Sequence, residues 1–115
     1  YAGNLAWLTW HLATYAPPAV ARRMVWRALS KLPAKGIQVT FAVFGYASLA
    51  RVHRRRGCAM RVRACCRHML KKWSDSDMYH LAYMPYFYLG ELLWLEGKYA
   101  EALPLMEKAL GNIDR

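Results

Sequence analysis

The sequence predicts an all-α fold of about six helices, arranged as three antiparallel helix hairpins in a short α-solenoid. Two observations carry this prediction. In residues 86–110, apolar residues recur at spacings of three and four on both sides of a turn at Gly97, and small residues stand where two helices would touch. The same pattern returns twice at near-constant offsets. We therefore expect one domain, with repeats at about residues 2–36, 37–73 and 76–111.

The third repeat has the clearest pattern. Its first half reads Tyr-x2-Leu-Gly-x2-Leu from residue 86, and its second half reads Ala-x3-Met-x2-Ala-Leu from residue 102. Gly97 would supply a turn conformation that residues with a Cβ disfavour. This sequence pattern resembles that of a tetratricopeptide repeat. The resemblance implies a stack of antiparallel helix pairs.

The first two repeats emerge when the pattern is moved back along the chain. The step that takes Leu89 to Leu49 also takes Gly97 to Gly57. A further step, longer by one position, takes Leu49 to Leu8. Three units are about the minimum that such a stack needs.

The first repeat is expected to form helices over residues 4–15 and 19–32. Leu5, Leu8 and Leu12 lie on one stripe of the first helix. The two prolines between the helices would end the first helix and suit the first turn of the second.

A break at residues 33–36 precedes the second repeat. Residues 39–43, Val-Thr-Phe-Ala-Val, favour a strand by propensity. We expect a helix instead, because Tyr46 and Leu49 continue the helical spacing. A second helix should follow over residues 58–73.

The third repeat should begin at residues 74–77, Ser-Asp-Ser-Asp, which is a helix-start pattern. Pro85 then marks either a kink or a fresh start near Met84. Pro104 is expected to bend the last helix, and Gly111 to close it.

The middle repeat also resembles the RNA-binding pentatricopeptide repeat. Residues 32–37, Leu-Pro-Ala-Lys-Gly-Ile, precede Tyr46-x2-Leu49 and Gly57 in the way that this family spaces them, apart from about two extra residues. The resemblance implies RNA binding. Because the spacing departs, no base-reading position is transferred.

Charge is divided unevenly along the chain, which has a net charge of +10. Residues 1–72 contain 14 Lys or Arg and no Asp or Glu, whereas residues 73–115 contain three bases and seven acids. Nine bases fall within residues 51–72, and we expect them on one edge that faces an acidic protein surface, RNA or anionic lipid, with an edge that faces only solvent as the remaining alternative. Since no acid intervenes, counter-charge is expected from outside. The nine are Arg51, Arg54, Arg55, Arg56, Arg61, Arg63, Arg67, Lys71 and Lys72.

Aromatic residues are more numerous than short helices can bury, so some are expected to anchor an interface. Both ends of the stack also lack a polar cap, which neighbouring subunits would supply. We do not expect a homo-oligomer. The candidate interface aromatics are Trp7, Trp10, Trp26, Tyr79 and Tyr83.

Catalysis is not expected. The long acid-free stretch leaves few general acid–base pairs, and there is neither a nucleophile elbow nor a phosphate loop. A metal site at Cys58, Cys65, Cys66 and His68 is disfavoured, because adjacent cysteines point about 100° apart on a helix. We expect no metal, no cofactor and no small-molecule substrate. Three cysteines without an even framework suit a reducing compartment.

These observations favour a non-catalytic interaction subunit of a large organellar complex. Bases without acids are common in imported mitochondrial proteins, which favours the mitochondrion. One alternative is an RNA-binding helical-repeat protein of pentatricopeptide or mitoribosomal type. Another is a small membrane-associated subunit, although Pro85, Gly90 and Glu91 interrupt residues 78–95, the best candidate for a span.

Overall fold

The computed structural model describes residues 2–30, 39–78 and 81–113, and within these ranges it is helical, without a strand. The predicted all-α class is therefore confirmed. The predicted break at residues 33–36, Tyr79 and the side chain of Trp7 lie outside the described residues. The helices are α1 (Ala2–Tyr15), α2 (Pro18–Ser30), α3 (Val39–Arg55), α4 (Ala59–Lys72), α5 (Asp75–Met78), α6 (Tyr83–Leu95) and α7 (Tyr99–Ile113).

Helix α3 is the centre of the packing. It contacts α1, α2, α4, α5 and α6, while α1 packs on α2, α4 on α6, and α6 on α7. Val43, Ala47 and Ala50 of α3 are fully buried and follow each other at spacings of four and three. One side of a helix is thus covered. The helix predicted for residues 39–43 is confirmed, because burial of this side outweighs the strand propensity of the local sequence.

Two turns share one hydrogen-bond pattern. Gly57 joins α3 to α4 and Gly97 joins α6 to α7, with φ values of 73° and 81°. In each turn the glycine N–H donates to the carbonyl three residues earlier, and the next N–H donates to the carbonyl five residues earlier, at 2.8 to 3.0 Å. This is the Schellman arrangement, in which a glycine takes the left-handed conformation after the helix. The turn predicted at Gly97 is confirmed, and Gly57 is its counterpart in the preceding helix pair.

The inward stripe predicted for α1 is wrong at Leu8. The Leu8 side chain is 50% exposed, whereas Leu49, its predicted equivalent, is 1% exposed. Thr9 and Ala13 are buried in its place. The inward side of α1 is therefore displaced by one residue from the prediction.

The length of the first turn explains this displacement. Residues 16–17 connect α1 to α2, whereas residues 56–58 connect α3 to α4, so the first turn is one residue shorter. A single step therefore cannot superpose both helices of the first pair on the second pair. In α2, Ala21 is fully buried, as is Val62, the residue that stands 41 positions later. In α1 the buried residue is Thr9, which stands 40 positions before Leu49, one position less than the predicted step of 41.

The third segment starts as predicted and ends later. The Asp77 N–H donates to Ser74 Oγ over 3.3 Å, and the Ser74 N–H donates to Asp77 Oδ2 over 3.0 Å, so each residue caps the other. Pro85 lies in the first turn of α6, which is the predicted fresh start. Gly111 does not close the last helix, because α7 continues to Ile113.

Close approach of α6 and α7 requires a glycine. A Cβ placed on Gly90 would lie 3.0 Å from both Cγ and Sδ of Met106, and 3.4 Å from the Ala102 carbonyl oxygen. The predicted contact between small residues of the two helices is therefore present. Among the described residues, none of the helices combines the length and the apolar character needed to cross a membrane.

Candidate functional site

Two of the nine predicted edge bases are neutralised within the molecule. Arg54 donates two hydrogen bonds to Glu91 of α6, one of them from Nη2 to Oε2 over 3.0 Å, and Arg63 forms an ion pair with Glu96. These hydrogen bonds raise the pKa of Arg54. The counter-charge expected from outside is therefore supplied for these two bases by the acidic C-terminal segment.

Two further bases hold α3 against α1. The Arg51 guanidinium lies over the Trp10 ring, 4.8 Å from its centroid, and Arg55 Nη1 donates to the Ala13 carbonyl oxygen over 2.8 Å. The cation–π contact and the hydrogen bond to a helix carbonyl both stabilise this packing. Arg51 and Arg55 consequently serve the fold.

Some of the candidate interface aromatics also pack within the molecule, whereas another is accessible. Trp10 is half-buried and packs edge-on against Phe44, with centroids 5.5 Å apart. Trp10 and the half-buried Tyr83 line one cavity of about 120 Å³ together with Arg51. By contrast, Trp26 is 46% exposed. Of the described aromatic candidates, Trp26 is thus the one with a broadly accessible ring.

The remaining five edge bases are exposed. None of them forms an ion pair with a carboxylate anywhere in residues 2–30, 39–78 or 81–113. The Lys72 ammonium lies 5.2 Å from the centroid of the Trp73 ring. The bases are Arg56, Arg61, Arg67, Lys71 and Lys72.

One of these bases belongs to a cavity that the sequence did not reveal. An open cavity of about 360 Å³ is lined by Ala19, Arg22, Arg23 and Trp26 of α2 and by Arg56 of the turn after α3. We call it the arginine pocket. The spacing of Arg22 and Trp26, one helical turn apart, was a usable signal on α2. Their proximity to Arg56 depends on the packing of α2 on α3.

The field around the arginine pocket is positive. His53 is almost fully buried near it, and its Nδ1 has no hydrogen-bond partner within the described part of the chain. Burial and, to a smaller extent, the charges of Arg61, Arg56 and Arg22 lower the pKa of His53 to about 4. A neutral imidazole adds no further charge to this region at neutral pH.

A continuous row of accessible apolar side chains lies on α7. Its residues follow each other at spacings of four, three, four and three, which places them on one side of the helix. Four of them are between 55% and 60% exposed, and Met106 is half-buried against Gly90. Leu110, which the repeat pattern includes among its apolar positions, is one of the exposed residues. This α7 stripe comprises Tyr99, Leu103, Met106, Leu110 and Ile113.

The side of α7 that faces α6 is buried, in contrast to the exposed stripe. Its buried residues are Ala102, Ala109 and Asn112. Trp94 of α6 is 52% exposed and packs edge-on against Tyr99, with centroids 4.6 Å apart, so it extends the α7 stripe at one end. The stripe is therefore an apolar surface beside the α6–α7 contact.

Two of the three cysteines, Cys65 and Cys66, are buried in the core. Burial raises the pKa of the Cys65 thiol to about 11 and that of Cys66 to about 12, which disfavours the thiolate that metals and electrophiles need. Within the described residues, no three His, Cys, Asp or Glu side chains are close enough together to hold a metal ion.

Comparison with protein-family models, with curated proteins and with solved structures finds no match for this chain. The surfaces of the molecule therefore provide the basis for assigning a function. Two of them are accessible and chemically distinct: the α7 stripe and the arginine pocket.

Proposed function

We propose that the chain is a non-catalytic interaction subunit that binds a helix of another protein along the α7 stripe, within a larger mitochondrial complex. The observation that carries this proposal is the stripe itself, four large apolar side chains more than half exposed on one side of a helix. Apolar side chains in one continuous row are a common mark of a protein-binding surface.

The spacing of the stripe selects a helix as the partner element. Alternation of four and three keeps the row on one side of α7 over its whole length, roughly 20 Å. A facing helix crossing at a shallow angle would insert its side chains between those of the stripe. Covering each exposed side chain would contribute about 1 kcal/mol, before the cost of association is subtracted.

Charge beside the stripe specifies the partner further. Glu107 is exposed and lies roughly 80° around α7 from Tyr99, at the flank of the stripe. A partner helix with Lys or Arg along its flank would pair with it. In a two-fold pair of antiparallel α7 helices, the two copies of Glu107 would face each other. A second copy of this chain is therefore disfavoured as the partner.

We further propose that α1–α2, α3–α4 and α6–α7 are repeats of tetratricopeptide type. The equal hydrogen-bond patterns of the Gly57 and Gly97 turns, which occupy equivalent positions in successive helix pairs, support this.

Site-specific cross-linking tests the proposal. A photo-crosslinking amino acid at position 103, in the stripe, is compared with one at position 60, since Met60 is 82% exposed on α4 and lies outside the stripe. We expect position 103 alone to cross-link in intact mitochondria to one helical, basic-flanked segment of another protein. A synthetic peptide of that segment should bind the purified chain.

Two variants test whether the α7 stripe is the surface that binds the peptide. Leu110→Glu should weaken binding of the peptide at least about tenfold, because a charge would be buried in the contact. Met60→Glu, the same change of charge at an exposed apolar residue outside the stripe, should leave binding within about twofold. Equal cross-linking from both positions, or a cross-link to α7 of a second copy, would overturn the proposed partner.

A further inference from the structure

We infer that the arginine pocket binds a nucleotide, with its phosphate among the guanidinium groups of Arg22, Arg23 and Arg56 and its base against Trp26. This inference is independent of the α7 stripe, because the two surfaces share no residue. It concerns a ligand class that the proposed protein-binding function does not require.

The positive charges of the pocket favour binding of an anion. Arg54 and Arg55, the immediate neighbours of Arg56, both have partners inside the molecule, Glu91 and the Ala13 carbonyl oxygen. The pocket arginines form no ion pair in the part of the chain that the structure describes. Three like charges lining one cavity repel each other unless an anion enters. Guanidinium groups offer planar pairs of N–H donors that match phosphate oxygens.

The aromatic lining selects a nucleotide over a bare anion. Trp26 lines the same cavity as the three arginines and is 46% exposed, so its ring is available for stacking. A base stacked on an aromatic side chain contributes about 1 to 3 kcal/mol. A cavity of about 360 Å³ is at the small end for ligand sites. It can hold one nucleotide unit.

A membrane surface is a weaker match for the same charges. Among the described side chains of α2, the other large apolar residues that are exposed are Val20 and Met24. They lie more than about 100° around the helix from Trp26. A helix that binds a bilayer keeps its apolar residues together, with basic residues at their margins. On α2 the basic residues instead share the pocket with a single aromatic ring.

The nucleotide can be free or part of a single strand, since both present a phosphate next to a base. Calorimetry with the full chain would use AMP, a uridine octanucleotide, ribose 5-phosphate and inorganic phosphate as probes. We expect AMP to bind at least about tenfold more tightly than ribose 5-phosphate, because the two carry the same phosphate and differ only in the base. Higher affinity for AMP than for the octanucleotide identifies a free nucleotide, and the reverse identifies a unit of a strand.

Matched variants distinguish binding in the arginine pocket from non-specific attraction to the positive charge of the protein. Arg23→Gln and Arg56→Gln, both at exposed positions, should each weaken binding of the preferred probe at least about tenfold. Arg67→Gln removes the same charge from α4, outside the pocket, and should change binding less than about twofold. Trp26→Leu should weaken binding of the nucleotide while leaving binding of inorganic phosphate unchanged.

Three results would overturn the inference. Equal losses from Arg23→Gln and Arg67→Gln would mean non-specific attraction to net charge. Ribose 5-phosphate binding as tightly as AMP would remove the role of Trp26. Binding to phosphatidylglycerol vesicles that depends on Arg23, and that neither nucleotide probe displaces, would identify a lipid surface. Circular dichroism melts of each variant confirm that the fold is retained.

Discussion

Arg54 of α3 holds the carboxylate of Glu91 in α6 with two nitrogens, one of them 3.0 Å from Oε2. The pair connects the acid-free first part of the chain to the acidic last helix pair. Because the Arg54 side chain is 48% exposed, solvent weakens the attraction. Its contribution is expected to be modest and to depend on salt.

A double-mutant cycle measures this contribution. Arg54→Ala and Glu91→Ala should show a coupling free energy of about 0.5 kcal/mol in chemical unfolding, which already allows for the exposure of Arg54. In about 1 M salt the coupling should largely disappear. A cycle between Arg67 and Glu91, which form no ion pair, serves as the control and should give a coupling near zero. A coupling unaffected by salt would contradict an electrostatic contact.

Gly90→Ala should lower the free energy of unfolding by about 1 kcal/mol. The added Cβ would press on the Met106 side chain and the Ala102 carbonyl oxygen, and this cost exceeds the gain in helix propensity. Gly111→Ala is the matched control, because Gly111 also lies in a helix but has open space around its Cβ position. It should stabilise the protein by about 0.5 to 1 kcal/mol. Urea unfolding measures both, and a change of the same sign in both would contradict the close contact.

Acidification should destabilise the fold through His53. Its pKa is lowered from 6.5 to about 4 in the folded protein, so the unfolded chain binds a proton first as the pH falls. The stabilisation is present above pH 6.5 and is lost towards pH 4. Between pH 7 and pH 5 the free energy of unfolding should fall by about 2 kcal/mol from this residue.

Comparison with His53→Leu isolates this effect from other titrating groups. The variant should lose about 2 kcal/mol less than the wild type between pH 7 and pH 5 in urea unfolding. Arg56→Gln should raise the pKa of His53, measured by NMR titration, since the Arg56 charge helps to lower it. An unchanged pH dependence in His53→Leu would show that the imidazole is protonated as readily in the folded state as in the unfolded one.

Thiol reactivity should distinguish the three cysteines. Cys58 is partly accessible, whereas Cys65 and Cys66 are buried and their thiol pKa values are raised. We expect Ellman's reagent to modify Cys58 first and the other two only on unfolding. Mass spectrometry of the partly modified protein identifies the site, and Cys58→Ser provides the control. Rapid modification of that control without denaturant would contradict the burial.

The parts of the fold that depend on local spacing could be predicted from the sequence. The turn glycine Gly97, the cap at Ser74 and the helical state of residues 39–43 each follow from neighbouring residues. The position of Leu8 could not, because a turn one residue shorter between α1 and α2 displaces the whole first helix. The helix end predicted at Gly111 was also wrong. Ala109 and Asn112, on either side of Gly111, are buried, and α7 continues to Ile113.

The candidate surfaces were predictable only within one helix at a time. The basic residues around Arg54 were visible as neighbours in the sequence, but their partner Glu91 lies 37 residues away. The arginine pocket joins Arg23 of α2 to Arg56 of the turn after α3, and the sequence pattern does not show that these two segments are neighbours. Periodicity identifies the exposed side of a helix. It does not identify which other helix stands next to it.

The central position of α3 determines how cooperatively the protein unfolds. Arrays whose units touch only their neighbours can fray from one end while the remainder stays folded. Here loss of α1 and α2 would uncover the buried surface of the helix on which α4, α5 and α6 also rest. Native-state hydrogen exchange should accordingly show the amides of α2 and α4 opening together, as one cooperative event instead of a sequence of separate ones.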